Sequence, residues 1–215
     1  MHEPTPAPVG PLGPLRSPQW LSEARRKAIH LCFLVLPLDL LHEVLPWPRG
    51  RKQFELLFIA LTAGAVALDL LRLHEDRVRR FFRQFLGELI REHERFSLLG
   101  STYLLLASLL AIEIFSQPVA AAALGFTVLG DAMGALVGRG WGRHRVFNKT
   151  LEGAAGCFLA CLAWAGYVSA VSPLTLPVLV AGALAATLVE ILPIPLDDNL
   201  GITLAAGYTM KLMAG

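Results

Sequence analysis

Charge is what this chain has least of. Only 17% of its 215 residues are Asp, Glu, Lys or Arg, and 54% are hydrophobic. A soluble domain carries about 25% charged and about 45–50% apolar residues, so a water-soluble globular fold is excluded. Cysteine is scarce too. Cys32, Cys157 and Cys161 all fall in apolar stretches, with no CxxC and no metal-ligand spacing. That excludes a disulfide framework or a zinc site and leaves them as small packing residues. No P-loop is present, because Arg143 stands where the glycine six residues before Lys149-Thr150 is required. The segment GRGWG lacks the spacing and the preceding strand of a dinucleotide fingerprint. There is no internal repeat. The first 18 residues contain six prolines and no apolar core of a signal peptide, so residues 1–18 read as a flexible tail. The first apolar span is then the expected insertion signal.

What the chain does have is apolar blocks, at about 28–45, 54–71, 98–115, 118–138, 153–171, 174–191 and 199–214. Each is near the ~17–25 residues a membrane-crossing helix needs. They are apolar all round rather than along one stripe. The expectation is an all-α polytopic membrane bundle of about seven spans, with residues 19–215 forming one membrane-embedded domain. Between the second and third spans, residues 73–95 place Val78, Phe81, Phe82, Phe85, Leu86, Leu89 and Ile90 at three- and four-residue spacing among charges. That pattern predicts an amphipathic helix on the membrane interface, either a plain anchor or the rim of a lipid entrance.

Basic residues orient the bundle. With the amino terminus in the cytoplasm, that side holds Arg16, Arg25, Arg26 and Lys27, then Arg72, Arg77, Arg79, Arg80, Arg83, Arg91 and Arg95, then Arg139, Arg143, Arg145 and Lys149. The other side keeps only Arg49, Arg51, Lys52 and Lys211. The positive-inside rule selects this orientation, and the inner cell membrane is the expected location.

The unusual polar residues then gather on the cytoplasmic side. Arg26, Lys27 and His30 begin the first span; Asp69 and Arg72 close the second. Asp131 lies seven residues, about 10 Å, inside the fourth span from Gly138. Lys149, Thr150 and Glu152 open the fifth, and Glu190, Asp197, Asp198 and Asn199 flank the last turn. Each has an ordinary reading. Gly130, Gly134 and Gly138 form a helix-packing ridge. Arg26 and Lys27 serve as topology anchors, His30 as a core histidine, and Asp69–Arg72 as a local ion pair. The 139–149 loop is a topology signal, and the segment PLDDNLG caps a helix. Together, however, intramembrane carboxylates beside basic groups and glycine-rich backbone suit a polyphosphate with Mg²⁺.

Three segments carry a family resemblance: EARRKAIH (23–30), GDAMGALVGRGWGRHRVFNKTLEG (130–153) and VEILPIPLDDNLGITLAAG (189–207). In order and content they resemble the CTP-dependent lipid-alcohol kinases, namely dolichol (polyprenol) kinase, phytol kinase and the CTP-dependent diacylglycerol kinase. Membrane CDP-diacylglycerol synthases look similar over the middle segment, but their later Lys-Arg…Lys-Asp signature is absent. Thr203 stands where proline is expected.

The resemblance implies an enzyme that moves the γ-phosphoryl of CTP, with Mg²⁺, to a lipid alcohol, most plausibly an isoprenoid one. It implies CTP, the alcohol and membrane lipids as partners, and no nucleic acid. It further implies that Arg26, Lys27, Gly138, Arg139, Gly142, Lys149, Thr150, Glu152 and Gly153 shape the nucleotide site. Asp131, Glu190, Asp197 and Asp198 become candidate metal ligands. Asp131, Asp197, Asp198 and Lys149 are candidate catalytic groups, and His30 and Asn199 further site residues. The alternatives are a membrane cytidylyltransferase and a non-enzymatic transporter or lipid-binding protein that uses Asp131 in ion coupling.

Overall fold

The computed structural model describes residues 18–214 other than 88, 89, 91 and 92. The Pro-rich tail up to residue 17, Leu89 and Arg91 lie outside the described residues. The architecture is all-α, 81% helical. The first helix, α1 (Pro18–Leu31), passes through a 3₁₀ turn (Cys32–Leu34) into α2 (Val35–His42). There follow α3 (Gly50–His74), α4 (Asp76–Leu86) and α5 (Gly100–Ile114). The next helix is interrupted: α6 (Gln117–Gly125) runs through a π-helical segment (Phe126–Gly130) into α7 (Asp131–Trp141). Two short antiparallel strands, β1 (Arg145–Val146) and β2 (Lys149–Thr150), lead into α8 (Leu151–Val171), α9 (Leu176–Ile191) and α10 (Asp198–Ala214).

Among the described residues, three helices are long and apolar enough to cross a bilayer: Gly50–His74, Gln117–Trp141 and Leu151–Val171. Gly100–Ile114 and Leu176–Ile191 are shorter apolar helices. Gln117–Trp141 is the most buried of the three long helices and forms the centre of the bundle. Around it Phe126, Leu179, Ile202 and Met210 are fully buried.

Local chemistry sets the boundaries. Pro118 and Pro177 sit in the first turns of α6 and α9, where a missing N–H costs nothing. Thr150 caps α8, its Oγ1 accepting the Gly153 N–H at 3.1 Å. Asp197 caps α10, accepting the Asn199 N–H at 3.0 Å. Thr203 is wholly buried, its hydroxyl hydrogen-bonded to the Asn199 carbonyl and to the Thr127 hydroxyl, each at 2.7 Å.

The glycine ridge is a close-packing surface, as its spacing suggests. A Cβ at Gly130 would stand 2.8 Å from Cys161 Sγ, and one at Gly134 would stand 3.3 Å from Cys157 Cβ. In return, a Cβ on Gly153 of α8 would meet the Gly134 carbonyl at 2.9 Å. The backbones of α7 and α8 therefore touch, and the cysteines are packing residues against that contact.

The amphipathic segment is shorter than residues 73–95. Its helix spans Asp76–Leu86, followed by Gly87, a poor helix former, and a separate 3₁₀ turn at His93–Arg95. Phe82 packs inward, whereas Phe81 and Phe85 are exposed and stack on each other, centroids 4.7 Å apart.

Asp69 and Arg72 do pair, and they do more than pair. Arg72 Nε donates to Asp69 Oδ1 at 3.0 Å, and its other nitrogens donate to the carbonyls of Glu94 (2.8 Å) and Ser97 (2.7 Å). Asp69 Oδ2 accepts from the Leu99 N–H (2.8 Å) and the Thr102 hydroxyl (2.7 Å). The pair lashes the 94–99 segment and the start of α5 to α3. Removing one partner strands a buried charge, so Arg72→Ala should destabilise the protein by about 3–5 kcal/mol. Thermal unfolding in detergent checks this; an unchanged midpoint overturns the structural role.

Candidate active site where two cavities meet

Helix α1, helix α7, the β1–β2 hairpin, the end of α9 and the start of α10 converge at one end of the bundle. Two cavities open there. The polar one, about 700 Å³, lies between α7, the hairpin and α9. The mostly apolar one, about 230 Å³, lies between α1 and α5. Asp131 and Asp198 line both.

Burying Asp131 in this bundle requires a counter-charge. Lys27, buried on α1, supplies it by an ion pair to Asp131 Oδ2. His30, one turn further along α1, places Nε2 3.7 Å from the same oxygen. Arg26 pairs with Glu23 on its own helix, and Glu23 also receives Arg139 of α7 at 2.9 Å. Two cation–carboxylate links thus fasten α1 across α7.

A second lysine works on the opposite wall. Lys149 Nζ, at the start of β2, donates to Asp198 Oδ2 at 2.9 Å and to Glu190 Oε1 at 3.1 Å. Burial lowers the Lys149 pKa, but the Asp198 and Glu190 carboxylates outweigh it and hold the ammonium above the usual lysine range. The charge therefore persists through neutral pH, and its stabilising share is lost only as pH rises through that raised value. Burial raises the Asp197 carboxyl above the usual carboxylate range; hydrogen bonds from Asn199 oppose this, and the Asp198 charge adds to it.

The predicted residues divide between the cavities. Gly138, Arg139, Gly142, Lys149, Thr150, Gly153 and Glu190 line the polar one, with Asp131 and Asp198. Arg26, Lys27, His30, Asp197 and Asn199 line the apolar one. Arg26 and Lys27 thus line the apolar cavity, while Glu23, the partner of Arg26, lines the polar one. Glu152 lines neither cavity. It is turned onto the hairpin, accepting from the backbone N–H of Arg143 (3.1 Å) and of His144 (3.2 Å), and from His144 Nδ1 at 2.7 Å. It shapes the loop instead.

Sequence reading missed Trp20, Glu23, Ala135 and Asn148, all on the polar wall. Glu23 carried a signal in its i,i+3 spacing to Arg26. Asn148 and the hairpin carried none, since a two-residue strand pair leaves no periodicity to read.

The donor set was weighed against a divalent ion. Among the described residues, no three His, Cys, Asp or Glu side chains come together as a ready cage. Mg²⁺ seldom needs one, since it keeps waters and takes one or two carboxylates plus substrate phosphates. Glu190 Oε2 is buried without a hydrogen-bond partner, and Asp198 faces the same polar cavity. These two carboxylates fit such a shared site.

No family model matches the chain, and no solved structure matches it. Two curated proteins do. A protein of Triticum aestivum described as a probable chloroplastic phytol kinase is 32% identical over 143 residues, covering 58% of this chain and 48% of that protein. An uncharacterized protein of Rickettsia prowazekii is 24% identical over 143 residues, covering 65% of this chain and 67% of that protein. The chain thus spans about half the length of the plant kinase it resembles.

Gly138 is the sharpest test of the polar wall. An added Cβ would stand 3.0 Å from Thr150 Oγ1 and 3.5 Å from the Gly153 Cα, in conflict with the cap of α8. If this wall holds a nucleoside triphosphate, Gly138→Val should push the hairpin outward and weaken its binding by about tenfold or more, with the helical circular dichroism retained. Equilibrium binding of labelled CTP decides; undiminished affinity would remove this wall from the site.

Proposed function

We propose that the chain is a CTP-dependent lipid-alcohol kinase. The observation that carries this reading is the pair of cavities, one polar and lined by Arg139 and Lys149, one apolar, that share Asp131 and Asp198. A triphosphate and a lipid hydroxyl could each enter a cavity suited to its own solubility and meet at those carboxylates. The distant likeness to a probable phytol kinase supports the same class, and an isoprenoid alcohol is the acceptor we assign. CTP as donor follows from the resemblance of the three sequence segments.

In this reading Arg139, Lys149 and the backbone around Gly138, Gly142 and Gly153 hold the phosphates at the start of α8, where the helix N-terminus adds positive potential. Glu190 and Asp198 would hold Mg²⁺. Bound with the nucleotide, it would neutralise charge on the transferring group. The alcohol oxygen forms a bond to the γ-phosphorus as the bond from that phosphorus to the β–γ bridging oxygen breaks, releasing CDP. The hydroxyl proton leaves to Asp131, whose charge Lys27 balances and beside which His30 stands. The chemistry is mainly positioning and charge stabilisation. In the cell this site would face the cytoplasm from the inner membrane.

Purified protein in vesicles, given γ-labelled CTP and an isoprenoid alcohol, should place label in the lipid. Release of the label only as pyrophosphate would instead mark a cytidylyltransferase and overturn the reading. Asp131→Asn should lower transfer by on the order of 100-fold or more with nucleotide binding largely kept.

Orientation has its own test. Phe147, exposed at the hairpin tip, replaced by cysteine in a Cys32→Ser background, should react with an impermeant maleimide in inside-out vesicles only. Labelling from the outer side would reverse the topology.

A further inference from the structure

The apolar cavity contains a polar atom with nothing to do. Asn199, on the first turn of α10, is only 8% exposed. Its Nδ2 donates to Asp197 Oδ1 at 2.9 Å and to the Gly100 carbonyl at 3.2 Å. Those two acceptors fix which way the amide faces, because only the NH₂ end can serve them. Oδ1 is left buried with no hydrogen-bond partner, and leaving an acceptor in that state costs about 1–3 kcal/mol. Buried polar groups are nearly always paired, so an idle one held rigid at the wall of a cavity points to a ligand.

We propose that Asn199 Oδ1 is the receptor for the hydroxyl of the lipid alcohol, and that this subsite selects a neutral alcohol over a phosphorylated lipid. The proposal rests on the lipid-alcohol reading of the apolar cavity. Before the nucleotide binds, a hydroxyl gives Oδ1 the one hydrogen it lacks; when the triphosphate arrives, that hydrogen turns to Asp131, which lines the same cavity and takes the proton as the oxygen bonds phosphorus. Ile29, Phe33 and Leu104 line the same cavity and suit a hydrocarbon chain.

An anionic headgroup suits it poorly. Asp197, Asp198 and Glu94 line the cavity beside Asn199. Its two cations are already engaged, Lys27 by Asp131 and Arg26 by Glu23. A lipid phosphate would bring negative charge to a wall of acceptors and, as the dianion that prevails above its second pKa of about 6, has no hydrogen to offer Oδ1. Asn199 is therefore a positioning and specificity residue. A hydroxyl-bearing substrate satisfies it; a product or competitor bearing phosphate does not, which also favours product release.

The test reads binding without nucleotide, in nanodiscs of zwitterionic lipid. Tritiated farnesol is competed by unlabelled farnesol, farnesyl methyl ether or farnesyl monophosphate. The ether, in which a methyl group replaces that hydrogen, should compete about tenfold more weakly than farnesol, and the monophosphate more weakly still. In Asn199→Ala the advantage of alcohol over ether should vanish, whereas a merely structural role would weaken both alike and keep their ratio. Asn199→Ser is the second variant, and the wild-type ratio alone decides should neither variant fold. Equal affinity of alcohol and ether in the wild-type protein, a monophosphate that binds as tightly as the alcohol, or a ratio retained in Asn199→Ala would each overturn the proposal. Absence of phosphoryl transfer from CTP, with the alcohol preference intact, would instead overturn the kinase reading and leave the hydroxyl subsite standing.

Discussion

Lys27 on Asp131 is the contact from which the rest of this end of the bundle takes its shape. Neither charge can be buried alone in an apolar bundle, since an unpaired buried ion costs several kcal/mol. Each therefore holds the other, and with it α1 against α7. The pair also lies where the two cavities adjoin. Every feature around it can be understood as a condition for keeping it there. Glu23 and Arg139 repeat the α1–α7 fastening nearer the helix end. The glycine contact of α7 with α8 brings the hairpin and its lysine to Glu190 and Asp198 on the opposite wall.

The two lysines share a design but differ in freedom. Lys27 is buried with one carboxylate; Lys149 is about one-third exposed and shared between Glu190 and Asp198. A ligand that brings its own negative charge can compete for a partly exposed, shared cation more readily than for a buried, singly paired one. Lys149 is thus suited to exchange its partners for phosphate oxygens, and Lys27 to stay on Asp131.

Much of this was legible in the sequence. Seven apolar blocks fall within or beside the helices of the bundle, and the all-α class follows from them. The residues named for the site gather at one end, because in a membrane bundle a buried carboxylate has few places to go. What was not legible has physical causes. The π-helical segment before Asp131 changes hydrogen-bond spacing without changing composition. The β1–β2 hairpin is too short to show a period. Asp69 and Arg72 stand three apart, which predicts their ion pair but says nothing of the three backbone groups and the Thr102 hydroxyl they also bind across the chain. The role of Glu152, on the hairpin backbone rather than at a cavity, depends on the fold of that same short loop.

The π-helical turn at Phe126–Gly130 has a consequence for how this chain can vary. Each residue of a regular helix advances the face by about 100°, so adding or removing one residue normally turns everything beyond it. A wide turn of this kind absorbs one residue more than a regular helix would use over the same rise. The flanks, with Ala121 and Leu124 on one side and Asp131 and Gly134 on the other, stay in register across it. The fourth helix therefore carries a spare residue at one place only. A one-residue deletion between 126 and 130 would relax the turn to an ordinary helix and leave Asp131 pointing at Lys27. The same deletion two turns later would swing Gly138 off Thr150 and Gly153. Length changes in this helix are thus tolerable on one side of the aspartate and ruinous on the other.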